Sequence, residues 1–405
     1  FYKPIKTVND WETIKDDAAG NYRLEDDIDF SSAGSAEVRV NASFSGILDG
    51  KGHVLKHVRE IQYGNVFSEV NKGTIKDLAV EGLSLSAGNP SAQQHTGFVG
   101  TLKGAGVLDH VFIMGDEDEN EILAYGYSGA LAAEVNNATV RNCGVKNMQL
   151  TTSADVQKNT LYLGGLVGSL TAAELSNCYA EGITINAETG YTAAGIGGLI
   201  GVQGSGSPVS QTYAQGTIRT SFQNAGGLIG SSASSIQKAW TQVDINSIAD
   251  NIGGIAGRVT ARLSIGHVVE LGNMYTTSSN ISDASGAVRR IVGSVGTYEC
   301  TRRNAVAYSG QLLGKEVMPD VRDANRMVAL DELWGLEPYR DYAVLGSSFD
   351  ISGLKSGYTA NEGVLPMLLD TQEELLPYQE PVSLPDPSLS LQVLGMQDET
   401  TGEYS

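Results

Sequence analysis

The stretch Leu163-Gly164-Gly165-Leu166-Val167-Gly168 decides the fold class, because variants of it recur along most of the chain. Its centre is a small residue, two apolar residues and a second small residue. Eight copies, 27 to 36 residues apart, lie at 65–68, 97–100, 129–132, 165–168, 198–201, 227–230, 254–257 and 290–293. A period of this length is typical of a repeat protein, in which each repeat packs against its neighbours.

A second apolar block follows each of the first seven copies. These blocks begin at Ile75, Leu108, Val140, Leu175, Val209, Ile236 and Leu263. The third and fifth positions after each start are again apolar or small, and this alternation predicts strands. Glycine in the first strand predicts close approach of neighbouring backbones. We therefore predict an all-β protein, a right-handed parallel β-helix (solenoid) of about eight coils, with an N-terminal helical cap and a small mixed C-terminal cap.

The repeats divide the chain into four predicted segments. Residues 1–60 form the N-terminal cap and first rungs, 61–310 the β-helix with its repeats, 311–370 the C-terminal cap, and 371–405 a linker and the start of a following domain. Val8–Asp17 is the predicted capping helix, with Asn9 as its N-cap and with Trp11 and Ile14 on one face. Because the first residues do not form a signal peptide, we expect the chain to be a fragment of a longer protein.

Composition excludes several classes of function. The formal net charge of −20 argues against nucleic acid and anionic membrane surfaces as partners. No apolar run is long enough for a transmembrane helix. The 49 glycines and only 10 prolines indicate many tight turns rather than a disordered linker.

The sequence contains no motif that predicts a catalytic, cofactor or metal site. His53-Val54-Leu55-Lys56-His57 lacks the glutamate of a zinc-protease helix and lies in a strand pattern. The acidic run Gly115–Glu121 could ligate calcium, but a solvated turn is the favoured interpretation. Paired carboxylates of a polysaccharide-cleaving enzyme are not concentrated in any one repeat. We expect no enzymatic activity and no cofactor in this chain.

Two of the three cysteines occupy equivalent positions in adjacent repeats. Cys143 and Cys178 both lie three residues into the second block, beside Thr212, Ala239 and Gly266 in later repeats. A disulfide is one interpretation, and two small thiols that fill the interior is the favoured one.

An aromatic series lies one position further along, and it points outward from the sheet. Its positions are Ala79, Phe112, Gly144, Tyr179, Tyr213, Trp240 and His267. Stacking of such residues on successive strands stabilises a sheet surface. The same series could receive a sugar, a peptide or a neighbouring domain. Phe112, Tyr179, Tyr213, Trp240 and His267 are therefore the candidate partner-binding residues.

The repeat resembles the GLUG motif of bacterial surface proteins. Asn21–Val58, the variant Ser128–Ala132 with Asn137–Asn142 after it, and Leu376–Gln379 after Leu365-Pro366 also resemble the N-terminal domain of the streptococcal-type immunoglobulin A protease family of zinc metallopeptidases. The resemblance implies a secreted, cell-wall-associated protein of a Gram-positive bacterium. It also implies that zinc and the protease activity belong to a separate domain of the parent protein, of which no motif occurs here.

Two function classes follow, and a third is less favoured. The first is a non-catalytic scaffold or substrate-recognition module, whose partners would be a host protein such as an immunoglobulin or the parent's own protease domain. The second is a stand-alone cell-surface adhesin that binds a host glycan or protein. The third is a carbohydrate-active enzyme.

Overall fold

The computed structural model describes residues 1–86, 95–152, 158–187, 191–247, 249–276, 288–309, 312–313, 316–317, 324–333, 336–352, 354, 365–370 and 374–383. Helices are few and short in this part of the chain. They are α1 (Val8–Glu12), α2 (Ser35–Val38) and α3 (Leu330–Leu333), with a 3-10 turn at Thr13–Lys15 and a π-helical turn at Pro338–Tyr342.

Strands account for most of the described backbone. The first are β1 (Lys3–Ile5), β2 (Asn21–Leu24), β3 (Ile28–Asp29), β4 (Val40–Phe44), β5 (Ile47–Asp49), β6 (Val54–Glu60), β7 (Asn65–Asn71), β8 (Thr74–Ser86), β9 (His95–Lys103), β10 (Val107–Met114), β11 (Glu121–Ala124) and β12 (Tyr127–Gly129). The middle ones are β13 (Ala132–Asn136), β14 (Thr139–Arg141), β15 (Gly144–Lys146), β16 (Gln149–Thr152), β17 (Lys158–Gly164), β18 (Val167–Thr171), β19 (Glu174–Ala187), β20 (Tyr191–Gly197), β21 (Ile200–Gln203), β22 (Val209–Thr220), β23 (Ala225–Gly226), β24 (Ile229–Ser232) and β25 (Ile236–Ser247). The last are β26 (Ile252–Gly253), β27 (Ala256–Val259), β28 (Leu263–Glu270), β29 (Met274–Thr276), β30 (Val288–Arg289), β31 (Val292–Ser294), β32 (Cys300–Tyr308), β33 (Leu312–Leu313), β34 (Glu316–Val317), β35 (Arg326–Val328), β36 (Phe349–Asp350) and β37 (Met367–Leu368).

Two large sheets contain 20 and 15 of these strands, and β36 and β37 form a separate antiparallel pair. In the larger sheet each second-block strand pairs in parallel with its equivalents in the repeats before and after it. Residues five positions into successive blocks are direct partners: Val80, Ile113, Val145, Ala180 and Ala214. Their side chains are buried, so the alternation correctly predicted which residues face the core.

The paired glycines of the repeat allow the close backbone approach that the sequence predicted. A Cβ atom on Gly165 would lie 2.2 Å from the carbonyl oxygen of Gly198, and one on Gly198 would lie 2.1 Å from that of Gly227. No side chain fits at such distances, because van der Waals contact requires well over 3 Å. The motif therefore sets the spacing between adjacent repeats.

The all-β prediction is correct, but the prediction of a right-handed parallel β-helix (solenoid) of about eight coils is wrong. Strands β8, β10, β14, β19, β16 and β11 pair in this order, and β11 pairs with β8 again. The parallel sheets thus form a closed six-stranded barrel, together with a nearly closed barrel of twelve strands. The repeat specifies which strands pair, but not where each repeat breaks into separate strands. The long strands β8 and β19 each bridge several short ones, and this closes the circuit.

The N-terminal helical cap is also wrong. The chain begins in β1, which pairs with β2, so α1 lies between two strands of the larger sheet and does not precede it. The helix is shorter than predicted, and its N-cap is Thr7, whose side chain accepts a hydrogen bond from Asp10 N. Trp11 and Ile14 are both buried, as their spacing predicted.

Only the first part of the predicted small mixed C-terminal cap lies at the end of the larger sheet, where β35 pairs with β32 and β33 pairs with β29. The described residues from 336 to 383, called the strap below, instead lie across the outer face of the larger sheet. Their apolar side chains and the aromatic series of the sheet form one hydrophobic cluster, separate from the main core. The four predicted segment boundaries stay predictions.

Candidate functional site

Three of the aromatic residues predicted from the sequence stack on one another on the outer face of the larger sheet. Tyr179, Tyr213 and Trp240 are direct partners in β19, β22 and β25. The ring centroids of Tyr179 and Tyr213 lie 5.3 Å apart, and those of Tyr213 and Trp240 lie 4.4 Å apart. The interplanar angles are 10° and 4°, so the rings are nearly parallel. Such stacking stabilises the sheet surface beyond simple burial.

Phe112 belongs to the same series, two repeats before Tyr179. Phe112, Tyr179, Tyr213 and Trp240 are called the stripe below. The ring centroid of Phe112 is 6.4 Å from that of Tyr179, with Gly144 between them in the sheet. A Cβ atom on Gly144 would lie 2.2 Å from the Tyr179 ring. The missing side chain is therefore what lets Tyr179 lie flat against the sheet.

His267 does not belong to the stripe. Ile236 pairs with Ile265, not with Leu263 as the sequence alignment assumed, and Trp240 pairs with Val269. The alignment of this last repeat is thus wrong by two residues, because an insertion in the turn before it left no mark in the apolar pattern. Nothing tests whether His267 or the stripe binds a partner, and this role stays a prediction.

The strap buries the stripe. Trp240, Tyr213 and Tyr179 are each 1% exposed, and Phe112 is 4% exposed. Strap residues that join them in the hydrophobic cluster are Tyr339, Ala343, Leu345, Phe349, Leu354, Leu365, Leu368 and Leu376. In this structure the surface that could receive a partner is occupied by the chain itself.

Two of the aromatic side chains also hold the strap by their polar atoms. The Tyr179 hydroxyl donates a hydrogen bond to the carbonyl oxygen of Pro377 at 2.7 Å, and Trp240 Nε1 donates to that of Pro366 at 2.8 Å. A buried donor must find a partner, and each of these finds one on the strap. The stripe therefore fixes the position of the strap as well as its distance from the sheet.

A polar column beside the stripe makes further bonds to the strap. Its members all have a left-handed backbone conformation with φ between 52° and 59°, and they are Asp77, His110, Asn142, Asn177, Gln211, Lys238, His267 and Asn304. Asn177 Nδ2 donates to the carbonyl oxygen of Leu369 at 2.9 Å, and His267 Nδ1 lies 2.9 Å from that of Ala343. Gln211 donates to the hydroxyl of Ser348. Sequence reasoning missed this column, although polar residues recur two positions into each block and asparagine is enriched in this conformation.

Glu181 is a buried carboxylate under the strap. It accepts a hydrogen bond from the Tyr213 hydroxyl at 2.8 Å and one from the backbone N–H of Glu380 at 3.1 Å. Burial raises the pKa of Glu181, while these hydrogen bonds oppose that shift. Lys146, its partner in β15, forms an ion pair with the Glu380 carboxylate.

A recess of about 490 Å³ lies where the strap ends over the stripe. Leu78, Ala79 and Phe112 form its apolar lining, with Pro377 and Tyr378 of the strap beside them. Its charged rim consists of Asp49, Lys51, Lys76, Asp77 and His110. A recess with an apolar lining and a few polar groups is the usual form of a small-ligand site.

The histidine of this rim is strongly paired. His110 Nδ1 lies 2.9 Å from the Asp109 carboxylate, and this hydrogen bond raises the pKa of His110. Burial would raise the pKa of Asp109, but hydrogen bonds from His110, Arg141 and Asn142 outweigh it and hold that pKa well below its usual value.

Other residues considered from the sequence show no arrangement for chemistry. Cys143 and Cys178 are free, fully buried thiols, which confirms the favoured interpretation. In the acidic run, Asp116 accepts hydrogen bonds from the backbone N–H groups of Asp118 and Glu119 within its own turn. Within the described ranges, no group of three or more His, Cys, Asp or Glu residues could hold a metal ion. The helices described there are all too short or too polar to cross a membrane.

One family model matches part of this chain. Residues 159–186 match the family model described as the GLUG motif, as the sequence resemblance predicted. They include the stretch from β17 to the stripe residue Tyr179. No curated protein matches the chain.

The solved structures that are similar to this chain include the following two. One is a crystal structure of a proposed immunoglobulin A1 protease from Bacteroides ovatus, with 13% identity and a TM-score of 0.43 over 86% of this chain and 89% of that one. The other is described as IgA1 protease, with 13% identity and a TM-score of 0.47. The match covers 95% of this chain and 26% of that one, so this chain spans about a quarter of that protein.

Proposed function

We propose that this chain is a non-catalytic scaffold and substrate-recognition module of a secreted, cell-surface bacterial zinc metalloprotease that resembles the immunoglobulin A proteases. The GLUG motif at residues 159–186 supports a bacterial surface protein. The ordered set of sequence features shared with that protease family supports the narrower assignment. Zinc would be held by another domain of the parent protein.

The observation that carries the scaffold role is the fixed course of the strap. Pro366 and Pro377 are each hydrogen-bonded to a buried aromatic side chain of the sheet. The described strap residues around these two prolines are thereby tied to the face of the sheet, and a domain that follows in the parent protein would start close to that face. Rigid placement of a neighbouring domain is how a module without chemistry of its own can contribute to catalysis.

A cleavage assay with the parent protein tests this proposal. Immunoglobulin A is the substrate, and a variant that lacks residues 1–383 is compared with the intact protein. We expect KM to rise roughly tenfold with kcat within about twofold, because recognition is lost while the zinc site is elsewhere. The isolated chain should bind immunoglobulin A without cleaving it. An unchanged KM, or a parent that cleaves no immunoglobulin, contradicts the proposal.

The second candidate function is a stand-alone cell-surface adhesin that binds a host glycan or protein. The recess favours it, because a ligand site on the outer face would serve adhesion without any protease domain. Binding of the isolated chain to host cells, combined with a parent that cleaves nothing, would support the adhesin and exclude the first candidate.

A further inference from the structure

The recess beside Phe112 marks the place where the strap stops covering the stripe. The strap reaches Phe112 through Tyr378, whose ring centroid lies 5.3 Å from that of Phe112 at an interplanar angle of 58°. It then turns back, since Glu380 N bonds to Glu181 and the carbonyl oxygen of Val382 accepts from Leu365 N. The recess lies beyond this turn, where the exposed Tyr378 packs against the buried Phe112.

Tyr378 is held in a conformation that tyrosine rarely adopts. Its φ is 65°, in the left-handed region, and its side chain is 39% exposed. A bulky residue with positive φ is strained unless its surroundings require it, and such residues concentrate at binding sites. Glycine would make the same turn without strain, so the turn alone does not explain a tyrosine. Its ring is positioned as one wall of the recess.

The charged groups of the rim are paired with one another or with neighbours. Lys76 Nζ lies 2.7 Å from the Asp77 carboxylate and 3.5 Å from that of Asp49. Lys51 Nζ lies 3.0 Å from Glu25. A charged ligand would have to compete with these pairs, and would gain little from a rim of mixed sign. Ammonium groups and carboxylates nevertheless keep further donor and acceptor sites for an uncharged ligand.

We propose that the recess binds a neutral carbohydrate, the end of an oligosaccharide chain. A sugar ring has an apolar face of C–H groups with partial positive charge, which suits the negative face of the Tyr378 ring, since Tyr378 is 39% exposed while Phe112 is buried behind it. Its hydroxyl groups both donate and accept hydrogen bonds, which suits Asp77, Lys76 and Lys51 on the rim. The volume of about 490 Å³ lies within the range of small-ligand sites. This inference does not rest on the proposed function, because either a protease module or an adhesin can carry such a site.

Binding of defined sugars to the intact chain tests the inference. The probes are N-acetyllactosamine, chitotriose, cellotriose and mannotriose, with 3′-sialyllactose as a charged comparison and acetyl-Gly-Phe-Gly-amide as a peptide comparison. Saturation-transfer NMR detects binding, and calorimetric titration gives the affinity. We expect at least one neutral sugar to bind with a Kd below about 10 mM, and to bind more tightly than either comparison.

Two variants locate the binding, and a third is the control. Tyr378→Gly removes the aromatic wall while suiting the left-handed turn, and Ala79→Leu fills the floor without removing any group. Each should weaken sugar binding at least tenfold, whereas Tyr298→Ala, which alters a 48% exposed tyrosine outside the recess, should not. Because the two variants act in opposite ways, a folding defect in one leaves the other informative.

Four results would overturn the inference. They are no binding by any neutral sugar, tighter binding of the sialylated sugar, preference for the peptide, and sugar binding that neither variant weakens. None of these depends on cleavage or binding of immunoglobulin A, so the proposed function can fail while this inference stands, and the reverse.

Discussion

Replacing Trp240 by phenylalanine should release the strap without unfolding the sheets. The indole is 1% exposed, and its Nε1 donates to the carbonyl oxygen of Pro366 at 2.8 Å. Phenylalanine leaves this buried acceptor without its partner, which costs about 1–3 kcal/mol. The smaller ring also weakens the stacking on Tyr213, which adds up to about 1 kcal/mol. The strap should therefore be destabilised by about 1–4 kcal/mol.

Hydrogen exchange of strap amides measures this effect directly. The amide of Glu380 in the strap donates to the carboxylate of Glu181 in the sheet at 3.1 Å. This bond breaks when the strap opens. Since each 1.4 kcal/mol is about a factor of ten, exchange of this amide should accelerate roughly fivefold or more in Trp240→Phe.

Trp11→Phe is the matched control. Trp11 is also 1% exposed, and its Nε1 donates to the carbonyl oxygen of Val38 at 2.9 Å, but it lies in the main core. This variant should lower the Tm and leave the exchange of the strap amides unchanged under native conditions. Equal acceleration of the strap amides in both variants, or none in Trp240→Phe, would refute an independent strap held by the stripe.

Three further predictions concern other parts of the molecule. Burial raises the pKa of Glu181 in the folded state, so the protonated form is favoured there, and the contribution of this side chain to stability should decrease as the pH rises above about 4.5. Urea titration across pH 4 to 8 measures the difference in unfolding free energy between the wild type and Glu181→Gln. That difference should change with this sign, and a constant difference would count against the prediction. Cys143 and Cys178 are fully buried, so Ellman's reagent should modify them only after unfolding, and rapid labelling of either in the native protein would contradict their placement. Gly198→Ala places a Cβ atom 2.1 Å from a backbone oxygen of the next repeat and should lower the free energy of unfolding by about 1–3 kcal/mol or more. In the control Gly34→Ala the nearest atom is a side-chain oxygen at 3.4 Å, and the loss should be less than about 1 kcal/mol. Equal Tm values for the two variants would disprove the tight spacing.

The sequence predicts which residues of each second block face the core, because the alternation of apolar and polar residues and their burial are set within each repeat. Val80, Ile113 and Val145 pair as the aligned blocks predict. The alignment failed at Leu263, since apolar residues at both Leu263 and Ile265 fit the same alternation. A shift by two residues keeps every side chain on its own face, and so the apolar pattern alone could not reveal it.

The closure of the sheets and the course of the strap could not be predicted from the sequence. Closure depends on where each repeat breaks into strands, as in the long strand β8 opposite the shorter β10 and β11. The strap has no repeat of its own, and its contacts join residues far apart in sequence, such as Trp240 and Pro366. The outward direction of the stripe was predicted from alternation, but its occupant was not.

The strap also constrains how this protein can change length in evolution. Ala343, Ser348, Leu369 and Tyr378 contact successively earlier repeats, from the one with His267 to the one with Phe112. Repeat proteins ordinarily gain or lose units easily, because each unit contacts only its neighbours. Here a single segment spans six units, and a duplication or deletion among them would shift its anchoring points out of reach. The length of the strap thus constrains the number of repeats that it covers.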